Sequence, residues 1–177
     1  ANLDNGLRDE FFKDNFQNIR QTVVGSFDPN DKTCLEGDII TPTLVGDFVH
    51  YLIRFENTGT ANAENVVVTD FIDLNTFDIS TLEITSTSHN CKTLISNGNK
   101  VQFVFDNINL PFTEPLKHGY VAFKLKLKNN LGIGDSLKNK ADIYFDYNLP
   151  ITTNIAASRI DNVTAIKTIA NKEGSLS

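Results

Sequence analysis

Apolar and polar residues alternate along several stretches of the chain, and this period of two predicts β-strands. In residues 48–56 (FVHYLIRFE), apolar side chains occupy every second position from Val49 to Phe55. Residues 120–128 (YVAFKLKLK) repeat the pattern, with an apolar face opposite a face that carries three lysines. One apolar and one polar face is typical of an antiparallel sheet that buries a single side. Both segments are therefore predicted to line a core.

Four further segments favour strands, namely residues 66–71, 82–88, 101–105 and 136–146. Between two of them, Asn97-Gly98-Asn99 is a hairpin-turn signal, since Asn and Gly tolerate the positive φ angles of tight turns. Short strands at this spacing, with almost no helical pattern, predict an all-β, immunoglobulin-like antiparallel β-sandwich of about seven strands. The chain has no tryptophan, so it lacks the Cys–Trp–Cys pattern of antibody domains.

The sandwich is predicted to span residues 26–158. Residues 1–25 are interpreted as a lead-in from a preceding module, and residues 159–177, which are polar, as a linker. The chain starts with Ala1 and contains no methionine, which favours a piece excised from a longer protein.

The charge of the chain argues against nucleic acid as a partner, and its hydropathy argues against a membrane-spanning segment. With 16 Lys and Arg against 22 Asp and Glu, the net charge is −6, which argues against nucleic acid as a partner. No run approaches the roughly 20 apolar residues that a membrane span needs. The 21 asparagines and many threonines suit the turns and strands of a secreted β-domain.

Two polar residues fall on predicted apolar faces. Asp70 shares the face of Val66 and Val68, and Asn139 shares that of Ala141. A buried polar group without a partner costs about 1–3 kcal/mol, so both need a partner. Lys32 lies near the start of the first core strand. These three residue types could form an intramolecular isopeptide bond, in which a neutral lysine attacks an asparagine carboxamide assisted by a protonated carboxyl group. The alternative is that Asp70 and Asn139 bind loop backbone and Lys32 lies on the surface.

A calcium site is a second candidate, because calcium binds six to eight oxygen ligands. Two oxygen-rich clusters could supply them: Asp28, Asn30 and Asp31, and then Asp146 and Asn148. Their spacing does not match an EF-hand loop. The alternative is that they form turns, in which Pro29 sets the backbone.

Exposed aromatic residues and histidines are the remaining candidates for a binding or catalytic site. Carbohydrate binding uses exposed aromatic rings, which here would be Tyr144 and Tyr147. His50, His89 and His118 are predicted to be surface residues and show no metal-binding spacing. The sequence also has no nucleophile elbow and no phosphate-binding loop. No enzymatic activity is therefore predicted, and no cofactor other than the calcium alternative.

The chain has two cysteines, Cys34 and Cys91. A single pair leaves open whether they form a disulfide or remain free thiols, because the distance between them decides.

Several motifs together resemble a known module. They are GSFDPNDK (residues 25–32), YLIRFENTGTANAENVVVTDFID (51–73), NINLP (107–111) and KADIYFDYNLPITTN (140–154). The combination resembles the β-sandwich of Bacteroidota secreted and surface proteins that precedes the sorting domain read by type IX secretion. It is more distantly similar to the conserved repeat domain of bacterial surface proteins. The resemblance covers residues 22–157.

The resemblance implies an extracellular or cell-surface, non-catalytic structural module. Its implied partners are neighbouring domains of the same polypeptide and the secretion or surface machinery. It also implies that the polar C-terminal segment leads into a sorting domain. The alternative function is a calcium- or glycan-binding accessory module.

Overall fold

The computed structural model of the protein describes residues 28–163, which form twelve strands and one 3₁₀ turn, Pro42–Leu44. The predicted lead-in and residues 164–177 of the predicted linker lie outside the described residues. In chain order the strands are β1 (Asp31–Cys34), β2 (Ile39–Ile40), β3 (Phe48–Glu56), β4 (Val66–Phe71), β5 (Phe77–Thr87), β6 (Lys92–Ser96), β7 (Lys100–Phe105), β8 (His118–Leu127), β9 (Ser136–Asn139), β10 (Ala141–Phe145), β11 (Ile151–Thr152) and β12 (Ala156–Ile160).

The strands form two main sheets and one small sheet. One main sheet has the order β1-β3-β8-β5 and the other β11-β10-β4-β7-β6, while β2-β12-β9 form the small sheet. All strand pairs are antiparallel except β2 with β12. The prediction of an all-β, immunoglobulin-like sandwich is confirmed. The strand count exceeds seven because several strands are short edge strands, which carry little sequence pattern. In the described part of the chain, no helix has the length and apolar character to cross a membrane.

The core lies between the two main sheets. Strands β3 and β8 pair without interruption from Phe48 opposite Lys126 to Glu56 opposite His118, so their predicted apolar faces point the same way. Aromatic rings join the sheets across the core: the ring centroids of Phe55 and Phe105 are 5.1 Å apart. Such aromatic pairs contribute beyond their buried area.

The predicted strand 136–146 is two strands in the structure. β9 pairs with β12 in the small sheet, and β10 pairs with β4 in the main sheet, with Lys140 between them. The chain thus passes from one sheet to another at a corner, as strands of sandwiches do. The predicted inner face is confirmed, because Asn139, Ala141, Ile143 and Phe145 are all buried.

The last strand was missed by the sequence pattern. β12 buries Ala156, Ser158 and Ile160 on alternate positions and closes the small sheet against β2 and β9. Small inner residues give a weak apolar signal, which is why alternation seemed to stop after Asn154. The predicted linker at 159–177 therefore begins inside this strand, and the ordered sandwich continues through Ile160.

The other hairpins follow the prediction with adjusted bounds. β5 begins at Phe77, five residues before the predicted strand, and has two register shifts against β8. β6, which the pattern did not predict, pairs with β7 through the predicted turn, where Asn97 and Gly98 have φ angles of 51° and 80°. The turn prediction is confirmed.

Gly119 lies at a close approach within the core, which yields a stability prediction. A Cβ added there would collide with the ring of Phe55, which is 1% exposed. We expect Gly119→Ala to lower the free energy of unfolding by about 1–3 kcal/mol, because the packed ring must shift. Gly132→Ala is the matched control, since no atom lies within 4 Å of the added Cβ. Urea unfolding of both variants measures the difference, and equal stabilities would contradict the prediction.

Candidate functional site

Three buried polar side chains meet between the sheets. Lys32 lies on β1 at the edge of one main sheet, Asp70 on β4 of the other, and Asn139 at the end of β9. Asp70 pairs with Ala141, two residues beyond Asn139, which brings the carboxylate and the carboxamide to the same end of the core. Their residues are 1%, 0% and 5% exposed, respectively. The structure therefore brings together the three residues of the isopeptide hypothesis.

One oxygen atom of Asp70 joins the other two residues. Lys32 Nζ is in direct contact with Asp70 Oδ2, and Asn139 Nδ2 donates a hydrogen bond to the same oxygen at 3.4 Å. Asp70 Oδ1 is one of two buried side-chain oxygens that lack a hydrogen-bond partner within the described part of the chain. The alternative that placed Lys32 on the surface and bound Asp70 to loop backbone is wrong.

Aromatic rings enclose the Lys32 amine. Its Nζ lies 5.0 Å from the ring centroid of Tyr51 and 5.3 Å from that of Phe123, and the two rings are stacked. The Tyr51 hydroxyl is the second buried oxygen without a hydrogen-bond partner within residues 28–163. Alternation predicted that both rings would face the core, but nothing in the sequence indicated that they would flank a lysine.

Burial changes the acid–base properties of the pair. Removal from water lowers the pKa of Lys32, although the nearby Asp70 carboxylate opposes this. The same burial raises the pKa of Asp70, against the effect of the Lys32 charge. Both shifts favour the neutral amine beside the protonated acid. A neutral amine is the nucleophilic form of lysine, and a protonated carboxyl group can donate a proton.

The cluster contains the three groups that an amide exchange requires: an amine, a carboxamide and a carboxyl group. The amine and the carboxamide nitrogen both lie within reach of one carboxyl oxygen, so a single group can move protons between them. Fixed proximity of two reacting groups replaces the entropy loss of bringing them together. Water, the competing nucleophile, has little access to a cluster with fully buried lysine and aspartate side chains.

Both cysteines are free thiols in the structure. Cys34 is buried on β1 and donates to Glu36 Oε2 at 3.3 Å, and burial raises the pKa of its thiol to about 11. Cys91 Sγ donates to the Lys92 carbonyl oxygen at 3.7 Å. Of the two alternatives left open by the sequence, the structure has the unbonded thiols.

The predicted calcium ligands already accept protein hydrogen bonds. Asp28 Oδ1 accepts from the Asn30 N–H at 3.0 Å, and both Asp31 oxygens accept from the Arg54 guanidinium at 2.6 Å. Asn30 Oδ1 accepts from the Glu56 N–H at 3.1 Å. The Asp28–Asn30 bond is a local turn contact of the kind the alternative describes, whereas Asp31 and Asn30 bind residues of β3. In the described part of the chain, no group of three or more His, Cys, Asp or Glu residues is placed to hold a metal ion.

The second calcium cluster is likewise engaged in backbone contacts. The two oxygens of Asp146 accept from the Asn65 N–H at 2.7 Å and the Glu64 N–H at 3.1 Å. The Asn148 N–H donates to the Phe145 carbonyl oxygen at 3.1 Å in the same turn. Asp146 itself has a positive φ of 52°. The carboxylate therefore has a structural role in closing this loop.

The remaining predicted residues lie toward the surface. His50 pairs with Glu36 at 2.7 Å, His118 with Glu114 at 3.0 Å, and His89 contacts the Ser88 hydroxyl at 2.8 Å. Tyr147 is fully exposed and Tyr144 is partly buried. These two tyrosines remain the aromatic candidates of the glycan-binding alternative.

The chain matches the model of one known protein family. Residues 28–159 match the model of a family described as a domain of unknown function, DUF7619. The chain belongs to the DUF7619 family. The matched segment contains all three residues of the buried cluster. No curated protein matches the chain.

The DUF7619 fold is similar to domains of bacterial surface proteins. Domains D2 and D3 of the major pilin SpaD from Corynebacterium diphtheriae give a TM-score of 0.52 at 19% identity, covering 73% of this chain and 52% of that one. The C-terminal domain of the AgI/II polypeptide BspA from Streptococcus agalactiae gives 0.53 at 14%, covering 75% and 49%. The N-terminal domain of the Streptococcus gordonii adhesin Sgo0707 gives 0.54 at 14%, covering 77% and 34%. The chain thus spans about half or less of these solved chains, and the likeness is one of fold.

Proposed function

We propose that this DUF7619 domain is a non-catalytic structural module of a secreted or cell-surface protein, locked by an isopeptide bond between Lys32 and Asn139. The observation that carries the proposal is the contact of both side-chain nitrogens with one buried oxygen of Asp70. An ion pair between Lys32 and Asp70 alone would not explain why Asn139 also lies beside them on an apolar face. The module would act as a rigid spacer between neighbouring domains.

The reaction exchanges the Asn139 amide for a Lys32–Asn139 amide and releases ammonia. Lys32 Nζ, as the neutral amine, attacks Asn139 Cγ while protonated Asp70 hydrogen-bonds to the carboxamide and polarises it. The Nζ–Cγ bond forms, the Cγ–Nδ2 bond breaks, and a proton passes through Asp70 from Nζ to Nδ2. Ammonia leaves, and Asp70 regains its proton. No oxidant or cofactor is needed.

The similar folds support a role at the cell surface. The similar solved structures are named as a major pilin, an AgI/II polypeptide and an adhesin. The resemblance carried by GSFDPNDK and the later motifs extends the proposal to a Bacteroidota protein exported by type IX secretion, with this module before its sorting domain. No activity on a small-molecule substrate is proposed.

Intact-mass measurement tests the bond directly. We expect the purified protein to be about 17 Da lighter than its sequence, because one ammonia is lost. Lys32→Met and Asn139→Ala should each have their full sequence mass, since each lacks one reacting group. Lys140→Met, which removes the neighbouring lysine outside the cluster, should still lose ammonia.

Peptide mapping locates the bond in the same samples. Trypsin should leave the modified Lys32 uncut and release a branched peptide that joins β1 to β9. A wild-type mass equal to the unmodified sequence after complete folding would overturn the proposed function.

Calcium removal distinguishes the spacer from the calcium-binding alternative. We expect a chelator to leave the midpoint of thermal unfolding unchanged, because the carboxylates of Asp31 and Asp146 already accept hydrogen bonds from protein donors. A ligand that binds only the native state would stabilise it, so its removal would lower the midpoint. The measurement is a thermal scan with added calcium and with chelator. A clear decrease in chelator would favour the calcium-binding module.

A further inference from the structure

One exposed asparagine holds the backbone of the reactive lysine. The Lys32 N–H donates to Asn154 Oδ1 at 2.9 Å, and Asn154 Nδ2 donates to the Lys32 carbonyl oxygen at 3.0 Å. The two residues are 122 positions apart in the sequence. A single carboxamide therefore satisfies both backbone groups of Lys32, in the way that a neighbouring strand would.

The position of Lys32 explains why such a contact matters. β1 is the outermost strand of its sheet and pairs on one side only, with β3. In an antiparallel pair, alternate residues direct their backbone groups away from the partner. The Lys32 groups are directed outward, where Asn154 meets them. Without Asn154, the Lys32 side chain would be the only group of this residue that holds the edge strand in place.

Thr153, the residue before Asn154, hydrogen-bonds to Ala141 on β10, the strand that pairs with the strand of Asp70. The Thr153 N–H donates to the Ala141 carbonyl oxygen at 2.9 Å, and the Ala141 N–H donates to Thr153 Oγ1 at 3.0 Å. Ala141 is the residue that pairs with Asp70. Three residues after Thr153, Ala156 pairs with Asn139.

We propose that residues 153–156, the clasp, position Lys32 against Asn139 for bond formation, with Asn154 as the main positioning residue. This inference rests on the proposed function. The clasp contacts the lysine strand through Asn154, the strand opposite Asp70 through Thr153, and the asparagine strand through Ala156. It is thus a short segment that fixes the separation of the two reacting groups.

The expected effect is on the rate of bond formation. Intramolecular reactions depend steeply on geometry, and a displacement of about 1 Å can cost roughly a hundredfold. Asn154 is exposed, so its replacement leaves the hydrophobic core intact. We expect Asn154→Ala to slow the reaction about ten- to a hundredfold. Asn154→Gln, which keeps a carboxamide, should recover part of the rate.

The reaction can be followed in refolding. The full chain is isolated from inclusion bodies in denaturant, where the cluster has not formed, and then diluted into buffer. Mass spectra over time give the fraction that has lost ammonia, while far-ultraviolet circular dichroism gives the fraction folded. Ser158→Ala is the matched control. The Ser158 hydroxyl also links β12 to a residue near β1, donating to the Gly37 carbonyl oxygen at 2.6 Å, but it does not touch Lys32.

The outcomes separate the inference from the proposed function. Slow ammonia loss in folded Asn154→Ala, with normal rates in the wild type and Ser158→Ala, supports the clasp. Wild-type rates in folded Asn154→Ala would overturn it while the bond stands. No ammonia loss in the folded wild type would overturn both. Should Asn154→Ala not fold, Thr153→Val decides, because it keeps the buried shape and removes the hydroxyl that binds Ala141 and the Asn154 carbonyl oxygen. A wild-type rate in folded Thr153→Val would then overturn the inference.

Discussion

Replacing Lys32 with methionine should lower the midpoint of thermal unfolding by roughly 15 °C. The bond between Lys32 and Asn139 would close a loop of roughly 100 residues, and a cross-link of that size stabilises by about 5 kcal/mol in the chain-entropy description. For a domain of this size, each kcal/mol corresponds to a few degrees. The methionine side chain is unbranched like that of lysine but one heavy atom shorter, and its apolar character suits the aromatic surroundings of Tyr51 and Phe123. Differential scanning calorimetry measures the shift.

The wild-type chain provides the strictest control for this prediction. Refolded protein sampled before ammonia loss has the same side chains as protein sampled after it, so the two differ only in the bond. We expect the reacted sample to melt well above both the unreacted sample and Lys32→Met. Equal midpoints for the reacted and unreacted wild type would show that the bond does not contribute to stability.

Replacing Asp70 with asparagine should abolish ammonia loss and make stability strongly dependent on pH. The carboxyl group that transfers protons is lost, and Lys32 remains buried without a counter-charge. Removing one partner of a buried pair costs about 3–5 kcal/mol. Burial already lowers the pKa of Lys32, and it should do so further without Asp70. The folded variant should therefore contain neutral Lys32 at a pH where the unfolded chain still binds the proton.

The sign of this pH effect follows from proton linkage. Between the lowered pKa in the folded state and about 10.4 in the unfolded state, the unfolded chain binds more protons, so stability rises with pH. The slope should reach up to about 1.4 kcal/mol per pH unit. Urea unfolding of Asp70→Asn from pH 6 to pH 10 measures it.

Two proteins should lack this slope. In the cross-linked wild type, Lys32 is an amide nitrogen and no longer titrates, and in the Lys32→Met/Asp70→Asn double variant the amine is absent. A flat profile for Asp70→Asn, equal to that of the double variant, would contradict the burial of an uncompensated amine.

Much of the candidate site could be predicted from the sequence. The strands that carry Asp70 and Asn139 alternate clearly, so a polar residue on their apolar faces stands out, and both side chains are buried in the structure. The same regularity predicted the inward rings of Tyr51 and Phe123. These inferences succeed because the two-residue period of a strand assigns each side chain to a face locally.

The burial of Lys32 could not be predicted with the same certainty. β1 has only four residues, and its lysine is flanked by polar neighbours that suit a surface turn. The Lys32 side chain points inward because β1 pairs with β3, and the residues of β3 lie more than a dozen positions later in the chain. Asn154 was missed for the same reason, because its two partners belong to a residue 122 positions earlier.

The sequence by itself determined that this protein is a β-sandwich and that an aspartate and an asparagine face its core, because both follow from local alternation. Only the tertiary structure decided that a lysine reaches them and that a distant asparagine holds that lysine in place. Those contacts join three sheets, and their geometry depends on how strands far apart in the chain pack together. A local sequence pattern contains no information about that packing, and the proposed reaction depends on it.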